Sequence, residues 1–232
     1  MSNLTSRAFT LGVALFAIHL VQGCARSTNS ENMNNQGGTT QTFADPQTAA
    51  SQSLATFKKL VTKDNYKELG FDSPDEVSTS TLGSPMRVFM VKVEQLRDYQ
   101  TEKDANALLS ESGQMYFPVT VNGEARSSVV VEQAEGKWRS ASFGNAGLAK
   151  QIASVTKTNQ TAETAARPAD MIVQVPALGV YFLGGRNADN RLVLTPIAAN
   201  ATFGLQAGST EPAEVIFARL APFARNYNGL PM

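Results

Sequence analysis

Residues 115–144 constrain the fold of this chain more than any other segment. They read MYFPVTVNGEARSSVVVEQAEGKWRSASFG, in which Asn122-Gly123 separates two runs rich in valine and other β-forming residues. Asparagine followed by glycine accepts the positive φ angles of a two-residue turn, so this pair predicts a β-hairpin. Glu135-Gly136 marks a second turn, and Pro118, which lacks an amide hydrogen, predicts an edge or a bulge in its strand. We therefore expect a three-stranded antiparallel meander.

Further strands are predicted on both sides of this meander. MRVFMVKV at 86–93 is apolar on both faces and rich in β-branched residues, which predicts a central strand. After a polar stretch at 156–170, the runs MIVQV, LGVYFL and RLVLTPI predict three more strands, the last two joined across GGRNADN.

Three segments show helical periodicity. Asp45-Pro46 predicts the start of a helix over about 46–62, because an N-cap acid followed by proline at the first helical position is a common helix start. A second helix follows the meander, and a third follows Thr210-Glu211-Pro212, with Pro222 expected to end or kink it. Ser73 to Glu76 has the S-x-x-E spacing of a capping box, which predicts one short helical turn. The expected apolar faces contain Ala50, Leu54, Phe57 and Val61, then Leu148, Ile152 and Val155, and finally Ile216, Leu220, Phe223 and Tyr227.

These elements predict an α+β fold, an antiparallel sheet of meander and hairpins packed with about three helices. SASFG at 140–144 and NATFG at 200–204 each follow a hairpin and precede a helix. A duplicated β-β-β-α unit is therefore one interpretation, with halves at 46–157 and 168–232, and chance similarity of short small-residue stretches is the other.

The N-terminus has the pattern of an export signal. Arg7 precedes a run, residues 11–21, that is apolar except for Gly12 and His19, and this run is too short to span a bilayer. Leu20-Val21-Gln22-Gly23-Cys24 then resembles the lipobox of bacterial lipoprotein precursors. The resemblance implies cleavage before Cys24 and acylation of this cysteine, so that the chain is held at a bilayer by its lipid.

The predicted organisation has three parts: a signal peptide at 1–23, the lipidated Cys24 with a flexible tether at 24–45, and an α+β domain at 46–232. The tether is rich in Ser, Thr, Asn, Gln and Gly, a composition that buries little apolar surface. Ala25 follows the cysteine. In lipoproteins of the kind that this segment resembles, an Asp at that position is typical of retention in the inner membrane. In a double-membrane bacterium we therefore expect the outer membrane, with the domain facing the periplasm.

Composition excludes several classes of function for the mature domain. His19 and Cys24 are the only histidine and cysteine, so after processing no Ser-His-Asp or Cys-His catalysis and no His/Cys metal site is possible. We expect no cofactor and no metal. The formal net charge is zero and no basic stripe with interleaved aromatic residues occurs, so we expect no nucleic-acid partner.

Two short segments contain candidate binding residues. Trp138, the only tryptophan, lies beside Arg139 and could stack against a sugar or peptide, although a lone tryptophan in a meander is more often a core or rim residue. Arg186 follows Gly184 and Gly185 and could bind a carboxylate, although a polar hairpin tip is the simpler interpretation.

Two other motifs have residue types that occur in catalytic or metal-binding sites. The acidic GFDSPDE, with Asp72, Asp75 and Glu76, could supply paired carboxylates or a calcium loop, but its order is also that of a helix start. Ser154 to Lys157 has the S-x-x-K spacing of serine enzymes, yet it lies at the end of a helix and no K-T-G partner occurs. We therefore name no catalytic residue.

The sequence favours a non-enzymatic binding or accessory module of the cell envelope, with a protein partner there. Two alternatives remain open. One is a carboxylate-based hydrolase that works without His or Cys, for example on glycans. The other is an inhibitor or chaperone of an exported enzyme, which could add a strand or loop to its partner.

Overall fold

Valine- and phenylalanine-rich runs pair into one nine-stranded sheet in the described part of the chain, which is residues 41–160 and 169–229 of the computed structural model. The strands are β1 (Thr81–Leu82), β2 (Met86–Val91), β3 (Leu109–Val121), β4 (Glu124–Ala134), β5 (Lys137–Gly144), β6 (Met171–Val175), β7 (Val180–Arg186), β8 (Leu192–Pro196) and β9 (Glu211–Pro212). The helices are α1 (Pro46–Leu60), α2 (Glu76–Thr79), α3 (Val93–Arg97), α4 (Ala146–Gln160) and α5 (Ala213–Asn226). The predicted α+β class is confirmed. Among the described residues, no helix is long and apolar enough to cross a membrane.

The strands lie in the order β5-β4-β3-β2-β6-β7-β8-β9, and β1 pairs with the far end of β3. The central pair, β2 and β6, is parallel, and the other neighbours are antiparallel. Both hairpin turns of the predicted meander form, with positive φ at Asn122 (51°), Gly123 (81°), Glu135 (52°) and Gly136 (75°). Pro118 lies one residue from a register shift at Val119/Thr120, which agrees with the predicted bulge.

Helices cover both faces of the sheet. Phe89 and Val91 of β2 pack with α5, and Arg87, two residues earlier, points to the same face as its neighbour Met115, which packs with α1. Helices α1 and α5 therefore share one face. α4 lies on the other, where Val88, Tyr116, Ile152, Ile172 and Leu183 form a smaller core.

The helix boundaries differ from the predicted ones for local reasons. α1 starts as predicted, with Asp45 Oδ1 accepting the Thr48 N–H at 2.8 Å, but ends at Leu60, and Val61 is its C-cap. α2 forms the predicted short helical turn, but it starts at Glu76 rather than after Ser73, and the Glu76 carboxylate accepts the Asp72 N–H at 2.8 Å. α5 continues through the exposed Pro222 to Asn226, so the helix does not end at this proline, and the alternative expectation of a kink stays a prediction.

The two halves of the sheet have matching strand orders. Three antiparallel strands extend outward from β2 on one side and from β6 on the other, and each series is followed by a helix, α4 or α5, on opposite faces. The two similar pentapeptides do not occupy matching positions, however. SASFG forms the end of β5, whereas NATFG lies in the loop between β8 and β9, where Asn200 bridges to Leu205. Common origin of the halves stays a prediction.

Candidate functional site

The arginines of the described residues fall into two groups. Five form ion pairs with carboxylates, namely Arg87, Arg126, Arg139, Arg191 and Arg219. Arg97, Arg186 and Arg225 form none. Guanidinium groups without an anionic partner are the natural place to look for ligand binding, because their charge is not already neutralised within the protein.

The most heavily paired arginine is Arg126, near the start of β4. Its guanidinium lies 2.9 Å from Asp72, 3.1 Å from Glu76 and 3.1 Å from Glu124, and its side chain is only 15% exposed. We call these four residues the Arg126 cluster. The Asp72 N–H, and after it Arg126, hold the pKa of Glu76 below its ordinary value.

The Arg126 cluster answers the question raised by GFDSPDE. Asp72 and Glu76 are bound to a guanidinium, which ties the segment before α2 to β4. Across the described residues, no group of three or more acidic, histidine or cysteine side chains is placed to hold a metal ion. The acidic segment therefore serves the fold, consistent with the simpler interpretation of its sequence.

Two of the unpaired arginines line a cleft of about 380 Å³ between the loop after α3 and the C-terminal end of α5. We call it the α3–α5 cleft. Its lining residues are Arg97, Asp98, Tyr99, Gln100, Lys103 and Arg225. Three of these six side chains are cationic, and Asp98 is the one carboxylate among them.

Buried aromatic contacts hold the first wall of this cleft in place. Tyr99 is 4% exposed and packs edge-on against Phe217 of α5, with ring centroids 5.8 Å apart. Its hydroxyl donates to the Lys103 carbonyl at 3.2 Å, which fixes the intervening loop. Burial is the main cause of the raised pKa of this phenol, so it remains a hydrogen-bond donor at neutral pH.

Backbone carbonyls, not carboxylates, orient the cations. Arg97 Nε donates to the Ala224 carbonyl at 2.8 Å and Nη2 to the Tyr227 carbonyl at 2.7 Å, which caps the C-terminal end of α5. In return, Arg225 Nε donates to the Arg97 carbonyl at 3.2 Å. Lys103 Nζ donates to the Asp98 carbonyl at 3.0 Å. Each side chain retains further N–H groups, since a guanidinium has five and an ammonium three.

The residues predicted from sequence as binding residues are not brought together. Trp138 is half-buried against the α1 core, and its backbone pairs with Phe43 through hydrogen bonds of 2.7 and 2.8 Å. Arg139 makes two contacts with Glu132, at 2.8 and 2.6 Å. Arg186 lies at the far end of β7 and donates to the Asn190 carbonyl at 3.2 Å.

Gly184, two residues before Arg186, has a packing role. A Cβ at Gly184 would lie 2.6 Å from the Met171 side chain, so this glycine allows close approach of β6 and β7. The hairpin between Arg186 and Leu192 is a polar tip, held by the Arg191 N–H to Asn187 Oδ1 bond of 2.8 Å and by the 3.4 Å ion pair of Arg191 with Glu214 of α5. Cys24 lies outside the described residues, and its lipidation stays a prediction.

Sequence reasoning did not find the α3–α5 cleft. Arg97 and Arg225 are separated by 128 residues, as the spacing of their hydrogen bond shows, and neither lies in a motif. A second cavity of about 220 Å³ lies between α4, the start of β7 and the segment that follows β8. Its lining, which includes Leu148, Gln151, Tyr181, Ile197 and Asn200, holds no charged side chain. Comparison with known proteins adds nothing to this description: no family model, curated protein or solved structure matches the chain.

Proposed function

We propose that this chain is an envelope lipoprotein, held at a membrane through acylated Cys24, whose α+β domain is a non-enzymatic binding module. The anchor is supported by the resemblance of residues 20–24 to a lipobox. The binding role is supported by the α3–α5 cleft, and this cleft is the observation that carries the proposal. It offers three cations without a carboxylate ion pair, which suits recognition of an anion better than acid-base chemistry.

The state of the carboxylates also favours binding over catalysis. General acid catalysis at neutral pH needs a carboxyl whose pKa is raised by burial or by a neighbouring anion. The partly buried carboxylates of Glu76, Glu132, Glu211 and Glu214 each contact an arginine instead. The pKa of Glu76 is lowered, first by the hydrogen bond from the Asp72 N–H and then by Arg126, which is the opposite of what a general acid needs.

The competing function is a carboxylate-based hydrolase. Glycan hydrolysis requires two carboxyls that face each other across a cleft, about 5 to 9.5 Å apart. Asp98 is the one carboxylate among the residues that line the α3–α5 cleft, and no carboxylate lines the cavity beside α4. This arrangement supports the binding module.

The anchor is tested by labelling cells with a radioactive or clickable palmitate analogue. We expect the wild-type chain to be labelled and Cys24→Ser to lose label completely and to remain unprocessed. Ala25→Ser is the matched control and keeps both label and processing. Undiminished labelling of Cys24→Ser would contradict the anchor.

Sorting and activity are tested separately. Ala25→Asp should move the protein from the outer-membrane to the inner-membrane fraction of a density gradient, and wild-type protein in the inner-membrane fraction would contradict the proposed localisation.

Turnover by purified protein in a panel of glycosidase and esterase substrates, lost in Asp98→Asn, would overturn the non-enzymatic role.

A further inference from the structure

The cations of the α3–α5 cleft are arranged as anion receptors usually are. Arg97 is held rigidly by two carbonyl groups at the end of α5, so little conformational entropy is lost when its remaining N–H groups bind a ligand. Arg225 and Lys103 are exposed, and each is anchored by one carbonyl hydrogen bond. Of the other six described arginines, five are bound to carboxylates, and Arg186 lies apart from the cleft and donates to the Asn190 carbonyl.

Phosphate matches this set of donors in charge and in shape. A guanidinium presents parallel N–H groups to two oxygens of one phosphate, and a lysine ammonium adds a mobile point charge. The cleft is open to solvent on the side of the exposed Arg225 and Lys103, so a phosphate attached to a larger molecule can enter it.

The cleft lies at the end of the sheet from which the N-terminal chain departs. Val91, the last residue of β2, pairs with Leu109, the first of β3, and α3 follows directly. β4 ends beside the start of β3, so Trp138, near the start of β5, lies at this same end and pairs with Phe43. Phe43 and α5 also lie on the same face of the sheet.

This placement allows the cleft to face the membrane. The chain from Cys24 to Gln41, 17 residue-to-residue steps, can span at most about 60 Å. Phe43 pairs with β5 at one edge of the sheet, and β2, which leads into α3, lies four strand spacings away, roughly 19 Å. An anchor at Cys24 therefore attaches to the domain at this end and is long enough for the cleft to reach the lipid head groups.

We propose that the α3–α5 cleft binds phosphate and that phospholipid head groups of the anchoring membrane supply it. The phosphate chemistry follows from the cleft alone. The lipid source rests on the proposed lipoprotein anchor, and the two parts fail in different experiments.

The first experiment tests the cleft. The full-length processed chain, purified in uncharged detergent and labelled with ¹⁵N, is titrated with inorganic phosphate against sodium chloride of equal ionic strength. We expect saturable shifts of the amide signals of Tyr99, Gln100 and Lys103. Lys103→Gln and Arg225→Gln should each weaken the affinity about tenfold, since each removes a charge-assisted hydrogen bond.

Lys58→Gln is the matched control for this titration. Lys58 Nζ also donates to a backbone carbonyl, that of Ser78, at 3.0 Å, but on α1, away from the cleft. It should leave phosphate affinity unchanged. Unsaturable shifts spread over the surface, or equal affinity in the wild type and in Arg225→Gln, would overturn the site.

The second experiment tests the lipid source. The chain is reconstituted into vesicles of phosphatidylglycerol and phosphatidylcholine, or into vesicles of digalactosyldiacylglycerol, which contains no phosphate, and digested with trypsin. We expect cleavage after Lys103 to be at least fivefold slower in the phospholipid vesicles. Cleavage after Arg191, in the loop at the opposite end of the sheet, should not differ. Equal rates after Lys103, together with saturable binding of inorganic phosphate, would leave the phosphate site standing and overturn the lipid source.

Discussion

The Arg126 cluster and the α3–α5 cleft use the same side chain for opposite purposes. Arg126 contacts three carboxylates within 3.1 Å and is 15% exposed. Arg97 and Arg225 contact backbone carbonyls instead, and their charge is not neutralised by a neighbouring carboxylate. The first arrangement joins two segments of the fold. The second positions charge at the surface, where it is available to a ligand.

The comparison of these two regions indicates that the role of an arginine depends more on the groups it contacts than on how exposed its side chain is. Arg97 is half-buried, yet its hydrogen bonds leave a net positive charge at the cleft. Arg139 is 41% exposed in its side chain, yet Glu132 neutralises it. Each of the following changes is expected to affect one region and spare the other.

Gly70→Ala should cause the largest loss of stability. Gly70 has φ of +99°, and a Cβ there would lie 2.0 Å from the Arg126 carbonyl oxygen, so the segment carrying Asp72 would be pushed away from β4. We expect a loss of about 3 kcal/mol or more in the free energy of unfolding, measured by urea denaturation.

Gly123→Ala is the control for this substitution. Gly123 also has positive φ, +81°, but a Cβ there would have no neighbour within 4 Å. It should cost only about 1 kcal/mol, the price of the backbone strain. Equal losses for the two variants would show that the close approach at Arg126 has no energetic importance.

Arg126→Gln should have the next largest effect. It leaves Glu76, whose side chain is 20% exposed, without its cationic partner and detaches the acidic segment from β4. We expect a loss of about 2 kcal/mol, between the values typical of exposed and of buried ion pairs. Arg87→Gln, which removes an arginine that is 54% exposed, should change stability by less than about 0.5 kcal/mol.

The pH dependence of stability tests the same cluster. The pKa of Glu76 in the folded protein lies below its ordinary value of 4.5, so its contribution to stability is complete above that value and is lost as the pH falls through the folded pKa. The wild type should therefore lose more unfolding free energy between about pH 5 and pH 3 than Glu76→Gln. Parallel curves for the two proteins would contradict the assignment.

The cleft variants should have the smallest effect on stability. Lys103 and Arg225 are exposed, and each makes one hydrogen bond to a carbonyl. Lys103→Gln and Arg225→Gln should each change the unfolding free energy by less than about 0.5 kcal/mol in chloride buffer. A loss comparable to that of Arg126→Gln would show that these cations serve the fold.

Local features of the sequence predicted local structure. Asn122-Gly123 predicted a hairpin because only a few residue types accept the φ of 51° and 81° found there. Asp45-Pro46 predicted a helix start because its carboxylate caps a nearby N–H. The parallel pairing of β2 with β6 could not be predicted, because the pairing of Arg87 with Met171 depends on strands far apart in the sequence.

Neither the Arg126 cluster nor the α3–α5 cleft could be predicted from the sequence, and the reason is the same for both. The acidic residues of GFDSPDE were noticed, but their partner Arg126 lies 50 residues further along the chain. Arg97 and Arg225 meet only because α5 packs against α3. The prediction of Arg139 and Arg186 as binding residues depends on their neighbours in sequence, and these say little about the partners of a long side chain in the fold.

The most direct test of the difference between the two regions is the rise in Tm with phosphate, measured against chloride at equal ionic strength. A ligand that binds the folded state raises Tm with its concentration. Wild type and Arg126→Gln should show the same rise, although the variant starts from a lower Tm, and the double variant Lys103→Gln, Arg225→Gln should show none. A rise retained in the double variant, or lost in Arg126→Gln, would contradict the division between an arginine that holds the fold and arginines that bind the ligand.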